Sequence, residues 1–308
     1  MTPKHLINSL LENILSPLIQ NSRYLPFQRE MGFSHTDRRE VAAYSLPLPD
    51  PGIRRIQPGI FQTWDASEQE RFAVLVEDLS GLQMRNQEAH PEAWQAPHLQ
   101  AVLQDLAGFH AAYLGRTEVL NPEIGGERQD ARQIRRMRPL WKALWAHHRT
   151  EFPDLLDAEA YALILLDQSG DTWARLEAAP GSLIHNDCNP RNLCLRETDI
   201  GYQLVLYDWE LARCHVPQHD MVEFLAFALP ADSRPEVRED WARWYREALI
   251  QVSGKAWPEA DFLEVFRAAA QDFTFNRLGL YLMAHAFKDY GFRPGVLKGM
   301  LRYVGSFT

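Results

Sequence analysis

The sequence predicts an α+β chain in two unequal parts, a small N-terminal part with strands and a larger, mainly helical part that holds one β-hairpin. Three observations predict it. Residues 59–64 and 71–76 read as strands joined by the polar turn 65–69. Beyond residue 81, apolar residues recur at helical spacing in one segment after another. A single β-rich island interrupts them: 182–184, 193–195 and 202–207 are short apolar runs, and the polar stretch 197–201 separates the last two as a hairpin turn would.

Taken in order, Leu6, Leu10, Leu11, Ile14, Leu15 and Leu18 predict a helix over 3–16, closed or kinked by Pro17. No period is clear from there to residue 37. Residues 38–46 read as a short helix ended by Pro47, Pro49 and Pro51. After the two strands, Glu77-Asp78-Leu79-Ser80-Gly81 reads as a linker. Helices follow at 99–114, at 131–148, where Pro139 should kink or divide the element, and at 158–178, 241–252 and 261–288. No internal repeat or low-complexity segment interrupts this order.

With 308 residues, 46% hydrophobic and 24% charged, the chain is long enough for one large domain or two cored lobes. A net charge of -9 argues against a nucleic-acid partner, whose phosphates want a basic surface. It suits a cationic or polar small substrate and equally an ordinary soluble protein. Cys188, Cys194 and Cys214 form no C-x-x-C pair and no disulfide framework, which points to a reducing, cytoplasmic setting. His185, His215 and His219 lack the spacing of a zinc finger. Asn8, Glu12 and Asn13 interrupt the first apolar positions, so no signal peptide is expected. No run nears the roughly 20 apolar residues that span a bilayer, so no membrane partner is expected either.

The chemistry concentrates around the hairpin. His185-Asn186-Asp187-Cys188-Asn189-Pro190-Arg191-Asn192 precedes it and Tyr207-Asp208-Trp209-Glu210 follows, giving H-x-D-x-x-x-x-N and then D. Phosphoryl transfer needs a carboxylate to orient a hydroxyl and take its proton, and hard oxygens to hold magnesium against the phosphates of ATP. Asp187 and Asn192, five residues apart on one loop, place such groups together, and Asp208 at the end of the returning strand adds another oxygen. Cys188 has no base beside it in sequence and is expected in the core, as are Trp64 and Trp209. Glu210 either binds a cationic substrate or caps a loop.

These residues resemble the H-x-D-x-x-x-x-N and D-W/F-E motifs of the aminoglycoside phosphotransferase and choline kinase family. The resemblance implies a two-lobed, protein-kinase-like α+β fold. Residues 1–81 would be a small, abbreviated N-lobe with its hinge at 77–81. Residues 82–308 would be a mainly helical C-lobe with its catalytic loop and hairpin at 182–210. It also implies ATP- and Mg2+-dependent phosphorylation of a hydroxyl on a small molecule, with Asp187 as base and Asn192 and Asp208 on the metal. His185 would brace the catalytic loop, and Asp220, in His219-Asp220-Met221, would tie it down. Val74 to Leu79 resembles the strand and linker whose backbone receives adenine, which makes Val76, Glu77 and Leu79 nucleotide contacts. Leu106-Ala107-Gly108-Phe109-His110 resembles the helix that follows. Arg39-Glu40-Val41 resembles the helix whose Glu pairs with a nucleotide-binding Lys. The likeness covers roughly residues 38 to 230.

The substrate would sit over an acidic mouth near Asp187 and Glu210, walled by helices around 272–289. Trp241, Trp244, Tyr245, Phe275 and Tyr281 form either an aromatic cage for a quaternary amine or part of the core. The family acts on aminoglycosides, choline, ethanolamine, sugars, macrolides and other alcohols, and the sequence does not choose among them.

The N-terminal part departs from the family. No G-x-G-x-x-G occurs, and no lysine lies between Lys4 and Lys142, so the Lys that should pair with Glu40 is missing. Three readings follow. The lobe is abbreviated, with Arg23 or Arg29 and magnesium doing the phosphate work. Or the protein is a pseudokinase, binding a ligand without turnover. Or strands have been lost and the enzyme is damaged.

Overall fold

The structure, a computed structural model, describes residues 36–46, 56–69, 71–116, 131–148, 170–279 and 290–306, together with 120, 124 and 281. The helix expected over 3–16, Arg23, Arg29, the proline cluster, residues 158–169 and residues 282–288 lie outside it.

Helix α1 (Thr36–Tyr44) buries Val41, Ala43 and Tyr44 on one face. Strands β1 (Ile60–Ala66) and β2 (Arg71–Val76) pair antiparallel, with Thr63 opposite Val74. The hairpin packs against α1. Its other surface leaves Phe61 71%, Trp64 46% and Leu75 50% exposed. Trp64 is therefore not the core residue that the sequence suggested. A two-stranded ribbon has a second face, and no described residue covers it.

The linker is folded onto itself and onto the larger part. The Asp78 carboxylate accepts from the Ser80 amide and the Ser80 hydroxyl, both at 2.9 Å, an Asx turn. Gln83 exchanges backbone hydrogen bonds with Leu195 at 3.0 and 2.8 Å.

Helix α2 (Ala96–Tyr113) starts three residues before its expected position because Gln95 and His98 close a capping box and Pro97 sits in the first turn. Its buried residues, among them Leu99, Val102, Leu103, Leu106 and Phe109, recur every three or four positions. Helix α3 (Ala131–His148) runs through Pro139 undivided. Met137, Leu140 and Trp141 beside the proline are buried, and that packing outweighs the lost backbone bond. Helix α4 is Gly170–Ala178.

Strand β3 (Ser182–Ile184) pairs antiparallel with β6 (Arg213–His215), a strand too short to show a pattern in sequence. Strands β4 (Leu193–Thr198) and β5 (Gly201–Leu206) form the expected hairpin, with a turn tighter than foreseen: Thr198 already opposes Gly201. Helix α5 (Gln218–Ala228) was not foreseen, because every one of its residues is buried and it therefore shows no apolar stripe. Helix α6 (Pro235–Ser253) starts before its expected position and ends at Gly254, whose φ of 66° is left-handed. Helix α7 (Glu259–Asp272) passes into a π-helical turn, Phe273–Arg277, where a continuous α-helix was expected. Helix α8 (Arg293–Gly305) is a further element that the sequence reading left out.

Helix α2 packs on α6 and β5, and α7 packs on α4, α5 and α6. Between them lies the core, where Trp209 meets Phe109 edge-on at 5.2 Å and Trp94 meets Phe224 at 5.0 Å. Among the described residues no helix is long and apolar enough to cross a membrane.

Phe224 is wholly buried on α5. Phe224→Ala should destabilise the protein by about 3–5 kcal/mol, seen as a lower denaturant midpoint with an unchanged slope.

Candidate active site

The loop between β3 and β4 is organised from behind by one carboxylate. Asp220 lies at the start of α5 and has no exposed surface. Its Oδ2 accepts the His185 amide at 2.6 Å and lies 3.1 Å from His110 Nε2, and its Oδ1 accepts the Asn186 amide at 2.8 Å. His110 in turn meets the Tyr245 hydroxyl at 2.6 Å. Burial alone would raise the Asp220 carboxyl, but the hydrogen bond and charge of His110, with His185, hold it below the usual carboxylate range.

His185 is the second brace. Its Nε2 lies 2.9 Å from the Tyr207 carbonyl, which can only accept, so Nε2 carries the proton and Nδ1 accepts the Asp187 amide at 3.3 Å. Burial pulls the imidazole below its ordinary pKa and favours this neutral form. Trp209 packs edge-on against the ring at 4.8 Å. Asn186 takes a left-handed φ of 61°, with its Nδ2 donating to the Leu211 carbonyl at 3.1 Å.

Asp187 is almost fully enclosed. Its Oδ2 accepts Asn192 Nδ2 at 2.7 Å. Its Oδ1 accepts Asn189 Nδ2 at 2.7 Å and the Tyr281 hydroxyl at 3.1 Å, and is ion-paired with Arg277. Arg191 Nη2 stands 3.8 Å from the same oxygen. Arg191 also donates to Asn189 Oδ1 and to the Tyr281 hydroxyl, and its guanidinium lies over the rings of Tyr281 and Phe292, 5.3 Å from each centroid. Burial would raise the Asp187 carboxyl, yet Arg277 and Arg191 outweigh it and keep it ionised far below its ordinary value. Behind it, Glu223 Oε1 lies 3.3 Å from the Tyr281 hydroxyl and 3.6 Å from Arg277 Nε. Burial pushes Glu223 up to about 7 even though Arg277 opposes the rise.

Two arginines share Asp187, so the mouth expected near Asp187 and Glu210 is crowded with acids on its Glu210 side only. Of the helical wall expected around 272–289, residues 282–289 lie outside the described residues. Asp272 faces inward, where it accepts Trp173 Nε1 at 2.9 Å and lies 3.1 Å from His219 Nε2. Asn189, Arg191, Glu223 and Arg277 were missed. Asn189 and Arg191 lie inside the loop already singled out, but Glu223 and Arg277 come from distant helices with no local signal. Of the five aromatic residues weighed as a cage, only Tyr281 touches Asp187. Tyr245 holds His110, Phe275 is buried, and Trp241 and Trp244 meet edge-on at 6.2 Å. Cys188 is buried, as expected, and burial raises its thiol pKa.

Asp208 lies on the other side of the loop, at a left-handed φ of 66°. Its amide donates to the Tyr44 hydroxyl at 3.2 Å, and α1 packs over the turn Trp209–Leu211. Arg39 Nη1 donates to the Glu210 carbonyl at 3.3 Å. Burial and then the charges of Glu210, Asp187 and Glu40 push the Asp208 carboxyl well above its ordinary pKa. Burial, Asp187, Glu40 and Asp37 push Glu210 up to about 7. Carboxylates crowded this way mark a place short of positive charge, and their oxygens are the hard donors a divalent cation takes. Asn192 gives its Nδ2 to Asp187, which leaves Oδ1 as the oxygen such an ion would take. Among the described residues no three His, Cys, Asp or Glu side chains converge on a metal position.

Of the nucleotide candidates, Glu40 contributes its charge beside Asp208 and Glu210. Val76 ends β2 opposite Ile60. The Glu77 amide donates to the Gly59 carbonyl at 2.8 Å, and its Oε1 accepts both the Gly59 amide and Arg196, each at 2.7 Å. The Leu79 carbonyl accepts the Leu82 amide at 3.1 Å.

Gly279, between Arg277 and Tyr281, is pressed by Trp141: a Cβ there would stand 2.7 Å from Trp141 Cζ3. Gly279→Ala should destabilise the fold by about 1–3 kcal/mol, checked by thermal unfolding. Asp272 gives a pH signature. Burial raises its carboxyl, but the His219 hydrogen bond, the charges of His219 and His215, and Trp173 bring it down to about 2. The stability from this depressed pKa is complete above the unfolded carboxylate value of about 4 and is lost as pH falls through about 2. The stability gap between wild type and Asp272→Asn should therefore shrink on titration from pH 4 to pH 2, followed by denaturant midpoints.

A family model described as "Phosphotransferase enzyme family" matches residues 41–263. The GDP complex of aminoglycoside 2'-phosphotransferase-IIIa aligns with 89% of this chain and 83% of its own at 15% identity, with a TM-score of 0.53. Choline kinase from Cryptosporidium parvum Iowa II aligns with 87% of this chain and 75% of its own at 11% identity, with a TM-score of 0.51. Both share with this chain the α+β, protein-kinase-like fold with a small N-terminal part and a mainly helical C-terminal part. No curated protein matches the sequence.

Proposed function

The chain belongs to the phosphotransferase enzyme family, and from that premise we propose that it transfers the γ-phosphoryl group of ATP, with magnesium, to a hydroxyl of a small molecule. The observation that carries this reading is the pairing of Asp187 Oδ2 with Asn192 Nδ2 at 2.7 Å next to Asp208, whose carboxyl sits among three further acidic charges. When bound, magnesium supplies charge neutralisation for the phosphates, and Asp208 and Asn192 are the residues that would hold it. Asp187 orients the acceptor hydroxyl. The hydroxyl oxygen forms its bond to the γ-phosphorus as the bond to the bridging oxygen breaks, ADP leaves, and the proton passes to Asp187. A base with so low a pKa takes that proton late, which suits a loose transition state. Asp220 and His185 keep the loop in register throughout. In this reading the backbone at Val76, Glu77 and Leu79 receives the adenine, and Glu40 stands on the phosphate side. Glu210 faces the acceptor, and the protein works in the cytoplasm.

Asp187→Asn should keep the protein folded but lower its unfolding midpoint, because Arg277 loses its buried carboxylate partner, and should cut ADP release by about 10²–10⁴-fold at temperatures where it is folded; an active variant would remove Asp187 from the reaction. Calorimetric titration of ATP, with and without magnesium, on wild type and Asp208→Ala tests the metal site. Magnesium-dependent binding that Asp208→Ala loses is the expected result. The absence of a lysine between Lys4 and Lys142 favours a second reading, a ligand-binding pseudokinase. Magnesium-dependent nucleotide binding without turnover of any acceptor would select it.

A further inference from the structure

Among the described residues, the non-glycine residues with a left-handed φ fall in two places. Asn186 and Asp208 belong to the site already described. Met84 and Asn86, at 61° and 55°, flank Arg85 on the stretch that leads from the linker toward α2. Asparagine tolerates this conformation, but methionine rarely takes it, and such strain persists only where the surroundings fix the backbone. Here they do. Met84 packs against the core, and Gln83 on its other side is tied to Leu195 of β4 by two backbone hydrogen bonds. The Gln83 side chain donates to Glu197 at 2.9 Å, and Gln87 Nε2 donates to the Arg85 carbonyl at 3.1 Å. The strained turn sets the place of the side chain at its centre, Arg85.

That side chain is half-buried. Its guanidinium hydrogen-bonds Tyr207, and its charge reaches Cys194 on β4 and Asp78 in the linker. Tyr207 is the residue before Asp208, and its amide donates to the Asn192 carbonyl at 2.9 Å. The Tyr207 hydroxyl gives its proton to the Arg191 carbonyl at 2.7 Å, so its oxygen accepts from Arg85. Arg85 therefore stands between the linker proposed to receive adenine and the two residues proposed to hold magnesium. Its Nε is buried and makes no hydrogen bond.

A nucleotide brings several negative charges to a site that already carries those of Asp208, Glu210 and Glu40. Magnesium offsets part of that charge, and in phosphoryl-transfer sites positive side chains offset more. No lysine lies between Lys4 and Lys142 to do so. The neighbouring arginines have other work: Arg196 pairs with Glu77 at 2.7 Å, Arg39 donates to the Glu210 carbonyl, and Arg191 and Arg277 stand at Asp187. A guanidinium matches phosphate oxygens with two parallel donors, and the uncommitted Nε of Arg85 is one of its five.

Resting on the phosphotransferase reading, we propose that Arg85 binds the phosphate chain of the nucleotide, supplying from beyond the linker the positive charge of the missing lysine. Met84 and Asn86 hold it there through the strained turn.

The test is calorimetric titration of the full chain with magnesium-ATP and with adenosine, on wild type, Arg85→Ala, Arg85→Lys, Arg23→Ala and Arg29→Ala. Arg85→Ala should weaken magnesium-ATP at least about ten-fold and adenosine less than about two-fold, with Arg85→Lys in between. Unchanged affinity for magnesium-ATP in Arg85→Ala overturns the inference. Equal losses for magnesium-ATP and adenosine overturn it too, because they assign Arg85 to the base or ribose. Loss in Arg23→Ala or Arg29→Ala, with Arg85→Ala like wild type, gives the phosphate work to the N-terminal segment instead. Each of these outcomes keeps the phosphotransferase reading. Arg85-dependent binding without ADP release from any acceptor keeps Arg85 and selects the pseudokinase. Wild type that binds no magnesium-ATP overturns both. Should Arg85→Ala fail to fold, Arg85→Gln, which keeps a donor without the charge, must show the same selective loss.

Discussion

The site depends on one buried carboxylate. Asp220 accepts two consecutive backbone amides, His185 and Asn186, and the ring of His110. These contacts join α5, α2 and the catalytic loop, and they let Asn186 stay in a left-handed conformation that would otherwise cost free energy. A carboxylate without exposure is tolerable only when it is hydrogen-bonded, and here both oxygens are. His185 extends the same tie to the end of β5 through Tyr207, so the two ends of the hairpin that carry Asp187 and Asp208 are set relative to each other.

Charge is divided unevenly across the loop. On the Asp187 side two arginines offset Asp187 and Glu223, and Asp187 stays ionised. On the Asp208 side Glu40 and Asp37 of α1 add their charges beside Asp208 and Glu210, and the carboxyls of Asp208 and Glu210 rise. The two acids of the proposed reaction therefore lie in opposite electrostatic settings a short distance apart. In the proposed reaction the first meets the acceptor and the second a cation.

The helices that complete the site are placed by packing. Trp141 closes against Gly279, and Trp173 donates to Asp272, which also holds His219. Arg277 and Tyr281 reach Asp187 because the π-helical turn and the residues after it are held from behind by these contacts.

Sequence by itself determined the hairpin, the loop before it and the residues Asp187, Asn192, Asp208, His185 and Asp220, because their order and spacing are local. It also determined α1, α2 and the β1–β2 ribbon, whose periods are regular. Helix α5 escaped because a wholly buried helix has no polar face to set its period, and β6 escaped because three residues carry no alternation. Only the tertiary structure decided that Arg277, Glu223 and Tyr281 surround the proposed base. They are brought there from elements 36 to 94 positions along the chain, and a charge pair formed by packing leaves no spacing in the sequence that could announce it.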